Sequence, residues 1–198
     1  PIRPMLAQTF NEKLIDQFPY AVYVQPKLDG VRCIAFKSKE TGKIILHSRQ
    51  GKKFDLPHIS DDLKYLFQAL PNMILDGELC IHNREFQDII SLVKKDQDRT
   101  TEIEYHIYDI AISNVSFTTR TVWMGNIFTH IDSKKIKQVS TLCITKTKIP
   151  NYCQQHIEQG YEGTMIRNPD SHYRMDKRSK DLLKHKEFED KEFIITGG

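Results

Sequence analysis

The feature that most constrains the fold is the recurrence of short β-rich runs, the first of them arranged as hairpins, with amphipathic helical stretches between them. Strand-like segments are expected at Ala21–Gln25, Val31–Phe36, Ile44–Ser48, Met73–Ile81, Glu104–Ile110, Val139–Thr147, Gly163–Arg167, Leu182–Glu187 and Glu192–Thr196. Lys39-Glu40-Thr41-Gly42 reads as a hairpin turn. Leu63, Leu66, Phe67 and Leu70 fall on one face of a helix that Ser60 is expected to cap and Pro71 to end. Phe86, Ile89, Ile90 and Val93 repeat that spacing, a third helix is expected within Thr118–His130, and a fourth over Asn151–Gln159 with Gly160 as its stop. The apolar stripes of these helices are read as core. Hairpin strands with helices packed outside them predict an α+β fold with mostly antiparallel sheets.

The chain has 198 residues, enough for one substantial core or two small lobes, and no repeat or Pro/Gly/Ser-rich linker divides it. No run of apolar residues is long enough to span a bilayer, and the opening Pro1-Ile2-Arg3-Pro4-Met5 carries no secretory signal pattern. Cys33, Cys80, Cys143 and Cys153 are irregularly spaced and read as free thiols; Cys80-Ile81-His82 and Cys153-Gln154-Gln155-His156 do not complete a zinc-ligand set. The net charge of +3 does not demand a nucleic-acid partner. Its clustering at Lys37–Lys43, at Arg49–Lys53 and from Arg174 to Lys186 is compatible with one.

Chemistry concentrates in a few segments. In Pro26-Lys27-Leu28-Asp29-Gly30-Val31-Arg32, proline and glycine punctuate a tight connection that presents Lys27 at the lip of a sheet. Alone, such a turn is a common surface hairpin. Ile74-Leu75-Asp76-Gly77-Glu78-Leu79 places two acids inside an apolar strand, where carboxylates are seldom found unless paired or ligating, and the glycine points to a bulge beside a ligand. Tyr161-Glu162-Gly163-Thr164-Met165-Ile166-Arg167 opens another strand with an acid and a glycine. Leu182-Leu183-Lys184-His185-Lys186 sets two lysines on one strand face, an arrangement that an anion such as phosphate would relieve.

These parts suit attack of a lysine amine on a nucleotide α-phosphate. A free lysine titrates near ~10.4, so positive charge close to Lys27 is expected to favour its neutral amine, supplied by a bound divalent ion with Lys184 and Lys186.

In this order the segments resemble motifs I, III, IV and V of the covalent nucleotidyltransferases. Ser48-Arg49-Gln50-Gly51 is similar to motif Ia and Tyr105-His106-Ile107-Tyr108-Asp109 to motif IIIa. Arg3-Pro4-Met5-Leu6-Ala7 and Glu162-Gly163-Thr164-Met165-Ile166-Arg167 resemble the opening and motif IV of ATP-dependent DNA ligases. The resemblance implies an ATP-grasp-like adenylation domain over residues 1–198. It implies Lys27 as the nucleophile that takes AMP from ATP, with Lys184 and Lys186 gripping the α-phosphate. Arg32 and Glu78 would hold the ribose, Tyr108 and Met165 would flank the adenine, and Gln25, beside Pro26, would accept from its amino group. Glu162 and, less directly, Asp76 are implied at a Mg2+ site, and Arg49 and Arg178 at DNA phosphates. The substrate implied is nicked double-stranded DNA, met by an intracellular, non-membrane monomer, cytoplasmic in a bacterial host or at a site of viral DNA replication. An RNA ligase, a capping guanylyltransferase and a catalytically silent nucleotide- or DNA-binding module are the alternatives.

Two departures from the pattern stand out. Lys177-Arg178 occupies a place where Gly-Arg is usual, and His185 one where an apolar or aromatic residue is commoner. Phe193-Ile194-Ile195-Thr196 resembles the passage into an OB-fold domain, which is expected to follow residue 198. The 198 residues alone are accordingly expected to bind ATP or retain AMP, but to adenylate slowly and seal nicks poorly.

Overall fold

The computed structural model describes residues 2–95 and 97–186. Strands β1 (Leu6–Thr9), β2 (Ala21–Lys27), β9 (Leu142–Thr145), β10 (Gly163–Arg167) and β11 (Arg178–Lys186) form a five-stranded sheet in the order β1-β11-β10-β2-β9. Strands β3 (Val31–Lys37), β4 (Ile44–His47), β5 (Lys53–Phe54), β6 (Ile74–Cys80), β7 (Glu104–Ile110) and β8 (Ile136–Gln138) form a six-stranded sheet in the order β5-β4-β3-β6-β7-β8. Only β1 with β11 and β7 with β8 run parallel among the described pairs, so the α+β, mostly antiparallel expectation holds.

The period-two rule explains how the six-stranded sheet serves both core and site. Cys33 and Ala35 on β3, Leu75 and Leu79 on β6, and Tyr105 and Ile107 on β7 enter one large core. Their alternates Arg32, Asp76 and Glu78 point to the other face. Helices α2 (Pro57–Ser60), α3 (Lys64–Ala69), α4 (Phe86–Lys94) and α5 (Phe117–Ile127) cover the core with Ile59, Leu66, Phe67, Ile89, Met124 and Ile127. Under the five-stranded sheet, α1 (Glu12–Asp16) and α6 (Ile149–Glu158) close a smaller core around Ile15, Val22, Val24 and Ile166. A third cluster, Met5, Ala111, Tyr173 and Leu182, joins residues from both sheets.

Several boundaries differ from expectation. Ser60 does not cap a helix; Pro57, whose fixed φ suits a first helical turn, starts one, and Ser60 lies within it. The expected strand Val139–Thr147 shortens to β9, which pairs with β2; β8, which pairs with β7, precedes it and was not anticipated, and Thr141 between the two hydrogen-bonds Gln25. β1, α1 and β5 carried too little periodic signal to be anticipated. α5 and α6 fall within two residues of their expected starts, α5 capped by Ser116 and α6 followed by Gly160 at φ 91°. The run Glu192–Thr196 lies outside the described residues. No helix among the described residues is long and apolar enough to cross a membrane.

Candidate nucleotide cleft and its supporting network

Register places the lysines. On β10, Gly163 pairs with Lys27 of β2 on one side and with Lys186 of β11 on the other; two residues on, Met165 pairs with Gln25 and Lys184. Two rows therefore cross the sheet on one face, Lys27–Gly163–Lys186 and Gln25–Met165–Lys184. Gly163 is required: a Cβ there would collide with the backbone carbonyl of His185. His185 itself points to the opposite face and stacks on Phe10, with ring centroids 4.4 Å apart, which gives the unusual residue a packing role.

Glu162 precedes the first row. Its Oε2 accepts from Lys27 Nζ at 2.8 Å, and its Oε1 lies 3.2 Å from Lys186 Nζ. Burial works to raise the Glu162 carboxyl, but the two ammonium groups prevail and hold it below the ordinary carboxylate value. The charge nearest Lys27 is thus an anion, not the lysine pair expected to activate it.

On the facing sheet, Arg32 pairs with Glu78 in register. Between Asp76 and Gly77 the β6–β7 register shifts by a bulge whose extra residue is Tyr108. The extra residue turns both Tyr108 and Asp109 away from the core: Tyr108 Oη donates to Glu78 Oε1 at 3.1 Å, and Asp109 meets Arg120 and Arg167. Gly77 permits the close approach, since a Cβ there would meet the carbonyl of His106. A bulge was expected at this glycine, but the inserted residue belongs to the partner strand.

Burial pushes the Glu78 carboxyl up to about 7, against the pull of Arg32 and the Tyr108 hydroxyl. A raised carboxyl favours the folded state while protonated, and that contribution fades as pH climbs from ~4.5 through 7. Relative to Glu78→Gln, the ligand-free wild type is therefore expected to lose about 2 kcal/mol of stability between pH 5 and pH 8. Thermal melts of the pair across that range test this, and a constant difference would contradict it.

Lys27, the row Gln25–Met165–Lys184 and the facing strands line a cleft of about 760 Å³ that also includes Pro26, Arg32, Glu78 and Tyr108; Lys186 lies outside that lining. Arg49 and Arg178 also line it. Arg49 is exposed in the turn after β4, and Arg178 donates to the Ala7 carbonyl. Glu162 faces a smaller adjoining recess of about 350 Å³ together with Asp29. The stripe of α4 is not wholly core: Ile89 is buried, whereas Phe86, Ile90 and Val93 border the cleft.

Two expected roles need correction. Asp76 is 1% exposed, and its carboxylate is engaged twice by Arg32, at 2.7 and 2.6 Å, and by Tyr173 Oη at 2.6 Å. With its oxygens so occupied it is not placed to ligate a metal; it orients Arg32. Gln25 is equally buried: its amide oxygen accepts from Arg167 Nε at 2.7 Å, and its Nε2 donates to the Tyr108 carbonyl and to Thr141. Its side chain is an internal strut between the sheets, not an acceptor held ready for a ligand amino group.

That strut belongs to a network that sequence reasoning missed. Asp109, fully buried, bonds Arg120 Nε at 2.8 Å and Arg167 Nη1 at 2.7 Å, and Arg120 also donates to the carbonyls of Val115 and Ser171. A signal existed: Phe117, Arg120, Met124 and Ile127 share the inward face of α5, and an arginine there requires a buried partner.

Among the described residues no group of three or more His, Cys, Asp or Glu converges to hold a metal ion. Glu162 meets Lys27 and Lys186, and a single carboxylate fits Mg2+ shared with nucleotide phosphates, since that ion commonly binds through one or two carboxylates plus substrate oxygens.

A cleft of this size between two sheets, with lysines on one wall and an arginine, a carboxyl group and a tyrosine on the other, has the chemistry to take an anionic group beside a flat heterocycle. The chain belongs to the ATP dependent DNA ligase domain family, whose profile matches residues 4–186. It is 31% identical, over 98% of its length, to a DNA ligase of African swine fever virus (isolate Warthog/Namibia/Wart80/1980), of which it covers 49%. A DNA ligase of Methanosphaera stadtmanae is 27% identical over 100% of the chain and 38% of that protein. The fold is similar to that of a Chlorella virus DNA ligase-adenylate, with a TM-score of 0.72 and 27% identity over 93% of this chain and 67% of that one. The chain spans about half the length or less of these curated relatives.

Proposed function

We propose that residues 1–198 are the adenylation domain of an ATP-dependent DNA ligase and that Lys27 is its covalent AMP carrier. The observation that carries this reading is the row Lys27–Gly163–Lys186 with Glu162 clasped between its two ammonium groups at the rim of the cleft. The pairing is poised to rearrange. A triphosphate entering the cleft offers Lys186 a stronger anionic partner than a single carboxylate does, and brings phosphate within the reach of Lys184. Glu162, 2.8 Å from Lys27 Nζ, orients the amine as that rearrangement proceeds, and the ammonium proton leaves to solvent.

The freed amine attacks the α-phosphorus. The P–N bond forms as the bond to the bridging α–β oxygen breaks, and pyrophosphate carries away the electron pair. Lys184 and Lys186 offset the charge gathering on the α-phosphate. Arg32 and Glu78 engage the ribose, and Tyr108 and Met165 line the purine slot, where an aromatic ring and a thioether both suit a flat heterocycle. Mg2+, bound through Glu162 and phosphate oxygens, would supply Lewis-acid polarisation.

In the whole protein the AMP passes to the 5′-phosphate of a nick in duplex DNA, and the 3′-hydroxyl then displaces it. Arg49 and Arg178, both at the cleft, are suited to DNA phosphates. We place the enzyme inside the cell or at a site of viral DNA replication, acting as a monomer.

The test is incubation with α-labelled ATP and magnesium, followed by a chase. The expected result is a label on the chain that pyrophosphate removes and that passes to a 5′-phosphorylated nick in DNA in preference to RNA. A label transferred only to RNA ends, or none that survives denaturation, would overturn the reading.

A further inference from the structure

Tyr173 lies in the connection between β10 and β11, 2% exposed, in the small core that joins the two sheets. Its ring packs among Met5, Ala111 and Leu182, and the Arg120 guanidinium lies 5.7 Å from the ring centroid. The hydroxyl is the more informative part. It accepts from the Met5 backbone N–H at 3.1 Å and donates to Asp76 Oδ2 at 2.6 Å. Asp76 in turn holds Arg32 at Nε and Nη2, and Arg32 Nη2 returns to the Met5 carbonyl at 2.8 Å.

These contacts close a ring: Met5 N–H, Tyr173 hydroxyl, Asp76 carboxylate, Arg32 guanidinium, Met5 carbonyl. It ties the segment entering β1 of one sheet to β3 and β6 of the other. Within it, Arg32 has no freedom of its own. Its Nε and one terminal nitrogen are fixed by the ring, its Cζ lies 5.4 Å from the Tyr108 centroid, and the residue lines the cleft. Burial, reinforced by Asp76, raises the Tyr173 phenol well above its ordinary value, so the hydroxyl stays a donor throughout the working pH range.

We infer that the Tyr173 hydroxyl is a positioning group for sugar recognition: acting through Asp76, it fixes the guanidinium of Arg32 at the angle from which Arg32 engages the nucleotide's ribose hydroxyls. This rests on the nucleotide-binding reading of the cleft and adds to it a residue that touches no ligand. A guanidinium held in a rigid frame loses little freedom on binding. Without the phenolic hydroxyl, Asp76 keeps its arginine but loses the constraint that sets the pair's orientation, and the Met5 N–H loses its acceptor.

The experiment compares Tyr173→Phe with wild type for Lys27–AMP formation from ATP and from 2′,3′-dideoxy-ATP, which lacks the hydroxyls at issue. Both nucleotides are assayed on one preparation, so any unfolded fraction cancels from the ratio of their second-order rate constants. Wild type is expected to prefer ATP, and Tyr173→Phe to lose about tenfold of that preference, the effect of one well-made hydrogen-bonded contact to a charged group. Added to Arg32→Gln, the same substitution is expected to change the ratio no further, because it acts through that arginine.

Equal losses for the two nucleotides in Tyr173→Phe would overturn the inference and leave the hydroxyl a purely structural group. So would a wild type that uses both equally. A wild type that forms no adduct with either nucleotide would instead overturn the proposed function. Should Tyr173→Phe not fold, Asp76→Asn weakens the same link from its other end and is expected to shift the ratio in the same direction; an unchanged ratio there overturns the inference.

Discussion

Replacing Asp109 by alanine is expected to be the most destabilising single change in the molecule. The carboxylate is fully buried and carries two guanidiniums, Arg120 and Arg167, which are themselves 0% and 3% exposed. Removing it leaves two buried positive charges facing each other across the sheet junction. Breaking a buried pair by deleting one partner typically costs ~3–5 kcal/mol, and two stranded cations place this site at the upper end. For a domain of this size that corresponds to a fall in melting temperature of roughly 10 °C or more. The exposed pair Asp61–Lys64, whose side chains are more than half exposed, is the control: Asp61→Ala is expected to cost under ~1 kcal/mol. Thermal or urea unfolding of the two variants decides the matter, and similar costs would show that the buried network bears no special weight.

The second large effect concerns chemistry. Lys27→Ala is expected to abolish covalent AMP attachment, because no other described amine occupies its place in the row: Lys186 is two strands away and clasped by Glu162. Noncovalent ATP binding should survive, since Arg32, Glu78, Tyr108, Met165 and Lys184 remain around the cleft. The measurement is paired, with adduct formation by labelling and ATP binding by calorimetry. Loss of binding along with the adduct would mean that Lys27 serves mainly as a structural cation for Glu162. Residual adduct would mean that another nucleophile operates.

How much of this was visible in the sequence depends on the range of the interactions involved. Lys27, Glu162, Lys184 and Lys186 were legible because their chemistry is local: a punctuated turn, an acid before a glycine, two lysines at a two-residue interval. Two acids inside an apolar strand likewise marked Asp76 and Glu78 as exceptional. What those side chains meet was not legible. Asp76 read as a metal-linked acid because nothing near it in sequence reveals Arg32, 44 residues away, or Tyr173, 97 residues away. Gln25 read as a ligand contact because its true partner, Arg167, is 142 residues away.

The bulge at Tyr108 was obscured for a related reason. The glycine that permits it is on β6, while the inserted residue is on β7. The segment 139–147 illustrates the remaining gap. Its composition is uniformly strand-like, yet the chain has just left one sheet, where β8 lies beside β7, and must turn before it joins the other as β9 beside β2, and only tertiary pairing reveals where.

The most direct test of the central claim is the mass of the protein after incubation with ATP and magnesium, followed by fragmentation to locate the added group. The account predicts an increment of one AMP in a phosphoramidate on Lys27, reversed by pyrophosphate. An increment mapped to Lys184, Lys186 or any other residue, or a protein that binds ATP and gains no mass, would contradict it.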